Sequence, residues 1–334
     1  MRPSGAASHL SLFERPGEFS RTLPGTGRGE SPRLRPAGAY HRRMRAWAAA
    51  AVVLGVLLLA AGSAVAAAAL GVRIVPPAPR QGDVAVVFVA GAQGARQVEG
   101  SLGGRALAFF PYGEGWAALA GIDLEARPGK TPWRIGVVDA GGQGRQLRGS
   151  ATIRARRFPV QRLTLPGHMV DLDPETERRA ESESARLRTL YETATPERLW
   201  RGRFTRPVGT EGKGEGFGAR RIINGQPRMP HSGLDFSAER GTPVVAANRG
   251  RVALVADFFF PGLLVALDHG LGLYTLYMHL DRVDVAEGAR VERGEPIGAV
   301  GASGRATGPH LHFAAQVRQA RVDPAALFGV PLGD

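Results

Sequence analysis

Hydrophobic and polar positions divide the chain into stretches of different pattern. Residues 46–70 are almost entirely Ala, Val, Leu and Gly, broken only by Trp47 and Ser63. The densest part, 52–59, has the length of a signal h-region, and Ala64-Val65-Ala66 supplies the small-x-small pattern that signal peptidase reads. The whole run is also long enough to cross a bilayer. It therefore predicts a signal peptide or a retained single N-terminal membrane anchor, with Arg42, Arg43 and Arg45 staying in the cytoplasm and the remainder extracytoplasmic. Short β-branched runs follow at 84–89, 106–110 and 133–138, bounded by turn residues such as Arg127-Pro128-Gly129-Lys130. Their spacing predicts an immunoglobulin-like β domain over 72–157. Residues 158–202 read as a linker, in which Asp173 as N-cap, Pro174 at the first helical position and Glu175 and Glu177 in the first turn predict a helix at about 174–193. Its apolar stripe, Ala180, Leu187, Leu190, Tyr191 and Ala194, is narrow, which suits a helix lying on a domain surface or bridging two domains. From 203 to 330 short strands recur at 243–247, 251–256, 263–267, 274–279, 296–300 and 310–317, joined by Asn248-Arg249-Gly250, Pro261-Gly262, Asp268-His269-Gly270 and Arg293-Gly294. So many strands with so little helix predict a compact antiparallel β domain. The fold class is mainly β, in two β domains joined by a helical linker.

Composition narrows the chemistry. The 334 residues contain no cysteine, which removes thiolate metal sites, catalytic cysteine and disulfides together. Any metal must be held by nitrogen and oxygen. The net charge of +13 is shared between residues 1–45, with nine Arg against three Glu, and a thinly spread +7 in the remainder. Residues 1–45 form a basic leader of disordered composition, rich in Arg, Pro, Gly and Ser, and Met44-Arg45 directly before the apolar run offers an alternative translation start. No basic helix, RNP-like motif or zinc knuckle accompanies the charge, so no nucleic-acid partner is expected.

Five of the eight histidines fall within 231–312. In His310-Leu311-His312-Phe313 a strand would project both imidazoles to one face and send Leu311 and Phe313 into a core. His231 and Asp235, four apart in an extended segment after Pro230, also share a face. Taken with the histidine-bearing strand they supply a His, Asp, His set with one open position, the arrangement of a catalytic zinc site. His279 and the further strand histidine are candidates to manage protons and developing charge. His269, at the start of a tight turn, reads as structural or as a support behind the ligands.

Three motifs, HSGLDF at 231–236, LYTLYMHL at 273–280 and GRATGPHLHF at 304–313, in this order and at these separations, resemble the lysostaphin-type, LytM-like zinc metallopeptidases over about 203–328. The resemblance implies that the domain at 203–330 is a metallopeptidase holding one Zn2+ per chain through His231, Asp235 and His312, with His310 and His279 as catalytic histidines. It implies an endopeptidase that hydrolyses peptide bonds in peptidoglycan stems or cross-bridges by attack of zinc-bound water, which agrees with export. The loop Gly214-Glu215-Gly216-Phe217-Gly218, where many relatives carry serines, is expected to line the groove, and Asn224 is expected to contact substrate or to reach the open metal position. Two other classes of protein share part of this pattern. A non-catalytic wall-binding or hydrolase-activating relative would be expected to lack ligands that are all present here. A lipoyl-type carrier, suggested by the Val-x-x-Gly pattern at 283–300, needs an exposed lysine, and none follows Lys213.

Overall fold

The first β layer contains strands β1 (Gly71–Val75), β2 (Val84–Ala90), β3 (Gln97–Leu102), β4 (Arg105–Leu107), β5 (Phe109–Tyr112), β6 (Gly115–Gly121), β7 (Gly129–Val138) and β8 (Gly144–Ile153). The structure, a computed structural model, describes residues 69–209 and 214–332, so the basic leader and nearly all of the apolar run at 46–70 lie outside the described residues. The eight strands form two four-stranded sheets, ordered β1-β2-β6-β5 and β4-β3-β7-β8, with all neighbours antiparallel. Ala85, Val87, Val89, Ala118, Ile135 and Val137 fill the space between the sheets. Val84, Val86, Ala117 and Leu119 point out of the opposite face into a core shared with the second β layer. Strand β2 is thus covered on both faces, which is why it reads as an unbroken apolar run rather than an alternation.

After β9 (Val160–Leu163) the chain forms helix α1 (Pro174–Glu192). Asp173 caps it, accepting from the amides of Glu175 at 2.9 Å and Thr176 at 3.0 Å. Strands β10 (Arg220–Ile223) and β11 (Gln226–Pro227) make a short hairpin, and β10 pairs in parallel with β9.

The second β layer is a nine-stranded sheet made of β12 (Gly233–Ser237), β13 (Pro243–Val245), β14 (Gly250–Phe258), β15 (Gly262–Asp268), β16 (Leu273–Val283), β17 (Arg290–Val291), β18 (Pro296–Val300), β19 (His310–Val317) and β20 (Ala320–Val322). Its main path is β12-β19-β16-β15-β14-β17, with β18 joining β13 to β16 and β20 on β19. Helix α2 (Pro324–Phe328) closes the described chain. One face of the sheet, with Val265, Tyr277, Leu311 and Phe313, belongs to the shared core. The other, with Leu254, Leu264, Tyr274 and Leu276, receives Leu187, Leu190 and Tyr191 of α1. The narrow stripe of α1 is therefore a lid on the second face, with the Tyr191 and Tyr274 rings 5.9 Å apart.

The first layer braces β19 and β20 from behind. A Cβ on Gly121 would sit 2.8 Å from side chains of Val317 and Ala320, so only glycine allows β6 to approach this closely. Asp123 then accepts from Arg321 through Nη2 at 2.8 Å, Nε at 3.1 Å and the backbone amide at 2.9 Å.

Candidate metal centre

Strand β19 alternates as its sequence requires. Leu311 and Phe313 are fully buried in the shared core, and His310 and His312 project from the opposite face. Pairing of β12 with β19 sets Asp235 directly across from His312. His231 enters just before β12, held by its amide on the Ala219 carbonyl at 2.9 Å and by its carbonyl, which accepts from Gly218 at 2.7 Å. Three atoms converge as a result. His231 Nε2 lies 2.8 Å from His312 Nδ1 and 3.1 Å from Asp235 Oδ1, and the latter two are 2.9 Å apart.

The convergence tests whether a metal fits. A tetrahedral zinc with bonds of about 2.0 Å to nitrogen and oxygen needs ligand edges of about 3.3 Å, so this triangle is slightly contracted but of the right size. All three atoms present electron pairs in their metal-binding states, and together they make a His, Asp, His donor set. His231 Nδ1, on the far side of its ring, is buried without a partner, packed where a Cβ on Gly216 would come within 2.6 Å. With Nδ1 packed against Gly216, Nε2 is the nitrogen of this ring that can face a cation. The donors present fit zinc.

His279 reaches the same face by a different device. By strict alternation from Tyr277, which lies in the shared core, and Met278, which lies on the other face, His279 would point back into the core. A bulge intervenes: β15 advances two residues from Leu263 to Val265 while β16 uses three from Leu280 to Tyr277, and His279 takes φ of 62°. The extra residue swings the imidazole to within 4.8 Å of the His310 ring and 6.0 Å of the His312 ring, centroid to centroid. A left-handed φ in a non-glycine residue is a strained choice, retained here where it aims a histidine at the cluster.

Both flanking histidines have their tautomer fixed by the backbone. A carbonyl only accepts, so His279 Nδ1 donates to Ser303 at 2.8 Å and His310 Nδ1 donates to Gly308 at 2.8 Å. Each ring keeps Nε2 free, and that of His310 lies 3.9 Å from Asp235 Oδ1. Ser303 is pinned in turn, its hydroxyl donating to the Leu280 carbonyl at 2.7 Å and accepting from the Leu263 amide at 2.9 Å. Burial, reinforced by neighbouring His312 and His310, pushes His279 down to about 3, so it is neutral at physiological pH. Burial also lowers His312, against the opposing pull of Asp235. For Asp235 burial acts upward, yet hydrogen bonds from His231 and His312 outweigh it and hold the carboxyl well below the usual carboxylate range. His279 and His312 are thus held toward their electron-pair-donating form beside one carboxylate.

A groove of about 530 Å³ opens beside Asp235, lined by Val160, Gln161, Gly214, Glu215, Gly216 and Ser237. Glu215 brackets Asp235 backbone to backbone, at 3.1 and 2.8 Å. His269 stands apart from the cluster, bonded through Nδ1 to the Arg249 carbonyl at 2.8 Å and through Nε2 to the Thr275 hydroxyl at 2.7 Å. Asn224 does not serve the site. Its side chain accepts from the Leu165 amide and donates to the Leu165 carbonyl, both at 3.0 Å, which anchors the β10–β11 turn where it adopts φ of 50°. Sequence reasoning passed over Arg221, whose Nη2 lies 3.6 Å from Asp235 Oδ2, and Ser303, whose carbonyl sets the His279 tautomer. Neither carries a local signal, because β-sheet pairing and a distant loop bring them in.

Comparison with known proteins agrees with this geometry. The model of peptidase family M23 matches residues 229–324, which hold all five histidine and aspartate positions. Over 95 residues the chain is 41% identical to the Peptidoglycan DD-endopeptidase ShyB of Vibrio cholerae, a stretch covering 28% of this chain and 22% of that relative. Over 97 residues it is 41% identical to the DD-carboxypeptidase/endopeptidase Mpg of Neisseria meningitidis, covering 29% of this chain and 22% of the relative. The matched stretch therefore spans about a fifth of the length of these curated relatives. A crystal structure from Pseudomonas aeruginosa assigned to peptidase M23 superposes with a TM-score of 0.58 at 33% identity, over 76% of this chain and 95% of that one. With that structure covered over 95% of its length at 33% identity and the His, Asp, His cluster inside the residues matched by the family model, the chain belongs to peptidase family M23, the LytM-like metallopeptidases.

Proposed function

We propose that the chain is an exported, zinc-dependent endopeptidase that hydrolyses peptide bonds in peptidoglycan stems or cross-bridges. The observation that carries the reading is the meeting of His231 Nε2, Asp235 Oδ1 and His312 Nδ1 beside two further histidines of fixed tautomer, at the edge of an open groove. His231, Asp235 and His312 would hold one zinc per chain. When bound, zinc supplies Lewis-acid chemistry, making water more acidic and polarising a carbonyl. The residues of the chain do the rest. His310 and His279 each keep Nδ1–H on a backbone carbonyl, so Nε2 is the atom each turns toward the water, the leaving amine and the developing charge. Once protonated, the same atoms donate to the oxygen on which negative charge develops. The groove lined by Gly214, Glu215 and Gly216 admits an extended peptide alongside β12.

The relative ShyB is named a peptidoglycan DD-endopeptidase, which supports the substrate class, and such a substrate lies outside the cytoplasm. The apolar run at 46–70 would deliver the chain there, with the domain at 203–330 carrying the chemistry behind the β domain at 72–157 and the helical linker. The test is incubation of the zinc-loaded full chain with purified sacculi of known cross-link chemistry, followed by mass spectrometry of released peptides. Fragments with new amino termini at stem or cross-bridge bonds are expected. Intact sacculi with fully loaded protein would contradict the reading.

A further inference from the structure

Two arginines sit on the β10–β11 hairpin next to the centre, Arg221 with Nη2 3.6 Å from Asp235 Oδ2, and a third, Arg305, lies in the loop before β19. Arg221 and Arg228 face each other across the hairpin, the Arg228 amide donating to the Arg221 carbonyl at 2.9 Å. Like charges set opposite one another destabilise a hairpin. Arg305 lies over the Phe260 ring, 4.1 Å from its centroid, which fixes the guanidinium plane. Burial, and the nearby charges of Arg221 and Arg228, push Arg305 below its ordinary value.

The cluster is short of counter-charge. Arg221 donates to Gln161 Oε1 at 3.1 Å and reaches Asp235 Oδ2 at 3.6 Å. The Arg228 guanidinium donates to Gln226 Oε1 at 3.1 Å. Among the described residues no carboxylate pairs with Arg228 or Arg305, and Glu215, although it brackets Asp235, pairs with none of the three. Three positive charges thus share one carboxylate, and that carboxylate is the candidate metal ligand. A chain that holds like charges together, two of them half-buried and one flattened on an aromatic ring, gains when an anion bridges them.

We propose that Arg221, Arg228 and Arg305 form a subsite for a free carboxylate of the wall peptide, beside the bond to be cut. The inference rests on the peptidase reading and specifies the substrate it prefers: a peptide with an ionised carboxyl near the scissile amide, rather than an amidated one. Guanidinium planes favour a planar carboxylate, which they bind in paired hydrogen bonds.

Calorimetry on the full chain carrying His310→Ala would measure binding of a cross-linked wall peptide with free carboxylates and of the same peptide with those carboxylates amidated. The free form is expected to bind at least tenfold more tightly, and the preference is expected to shrink severalfold in Arg305→Gln and separately in Arg228→Gln. Arg228 is exposed, so its variant still gives a reading if Arg305→Gln fails to fold. Equal binding of the two peptides, or a preference that survives both substitutions, would overturn the proposal. Cleavage rates of the two peptides by the unsubstituted chain separate the claims. Cleavage of both without preference removes the subsite alone, whereas preferential binding with no cleavage leaves the subsite and removes the peptidase reading.

Discussion

His269 and His312 are both buried on the nine-stranded sheet, yet the first is enclosed by partners of complementary hydrogen-bonding sense and the second faces two other electron-pair donors. Around His269, Nδ1 donates to the Arg249 carbonyl, Nε2 meets the Thr275 hydroxyl, and the Thr275 and Tyr277 hydroxyls share a bond of 3.1 Å. The Ala247 amide completes the chain on Tyr277 at 2.8 Å. Nothing in that network asks for a ligand. Around His312 the nearest atoms are His231 Nε2 and Asp235 Oδ1, and the His231 ring carries an orphaned nitrogen on its far side. Burial alone does not separate a structural histidine from a functional one. The hydrogen-bond sense of its neighbours does.

The comparison breaks most visibly under substitution of a converging residue. His312→Ala or Asp235→Ala is expected to abolish both zinc retention and sacculus cleavage, as read by metal analysis and peptide release. Next in size, His310→Ala and His279→Ala should keep about one zinc per chain, as a three-ligand site predicts. Their turnover should fall by roughly 10²–10⁴, which steady-state rates on a soluble wall peptide would show. On the structural side, His269→Ala should leave zinc content unchanged and cost roughly 3 kcal/mol in urea unfolding, from the cavity and the unsatisfied partners. The smallest effect is in pH. Burial lowers His269 to about 4 in the folded chain, against 6.5 when unfolded. The unfolded state takes up the proton first, so the contribution is whole above about pH 6.5 and is lost as pH falls toward 4. Between pH 6.5 and 5.5 this amounts to about 1 kcal/mol, seen as a difference in unfolding slope between the wild-type chain and His269→Gln.

The parts of this contrast legible in the sequence are those governed by local rules. Strand periodicity alone places His310 and His312 on one face and Leu311 and Phe313 on the other, and the Asp173-Pro174 start marks helix α1. The motif resemblance selected His312 over His310 as the ligand, which the residues by themselves left open, and the structure brings His312 rather than His310 into the converging triangle. His279 stood out as a candidate through the histidine inventory, and its motif gave it a role, but its position did not follow from strand periodicity. Alternation places it in the core, and the bulge that redirects it depends on how β15 and β16 count against each other. Asn224 looked available because a polar side chain near a site has no visible partner in sequence, and its partner, Leu165, lies 59 positions away. Arg221 and Arg228 were invisible for the same reason, and Arg305, although inside the motif at 304–313, showed no partner in sequence. The helix stripe read as surface because its width says how much it buries and not what it covers.

The central claim is that His231, Asp235 and His312, and not the neighbouring histidines, hold the metal. Zinc content of the purified full chain measures it directly, comparing the wild-type protein with His310→Ala and His312→Ala. About one zinc per chain in the first two and none in the third is the expected result for a three-ligand site. Zinc retained by His312→Ala, or lost from His310→Ala in a folded protein, would contradict it.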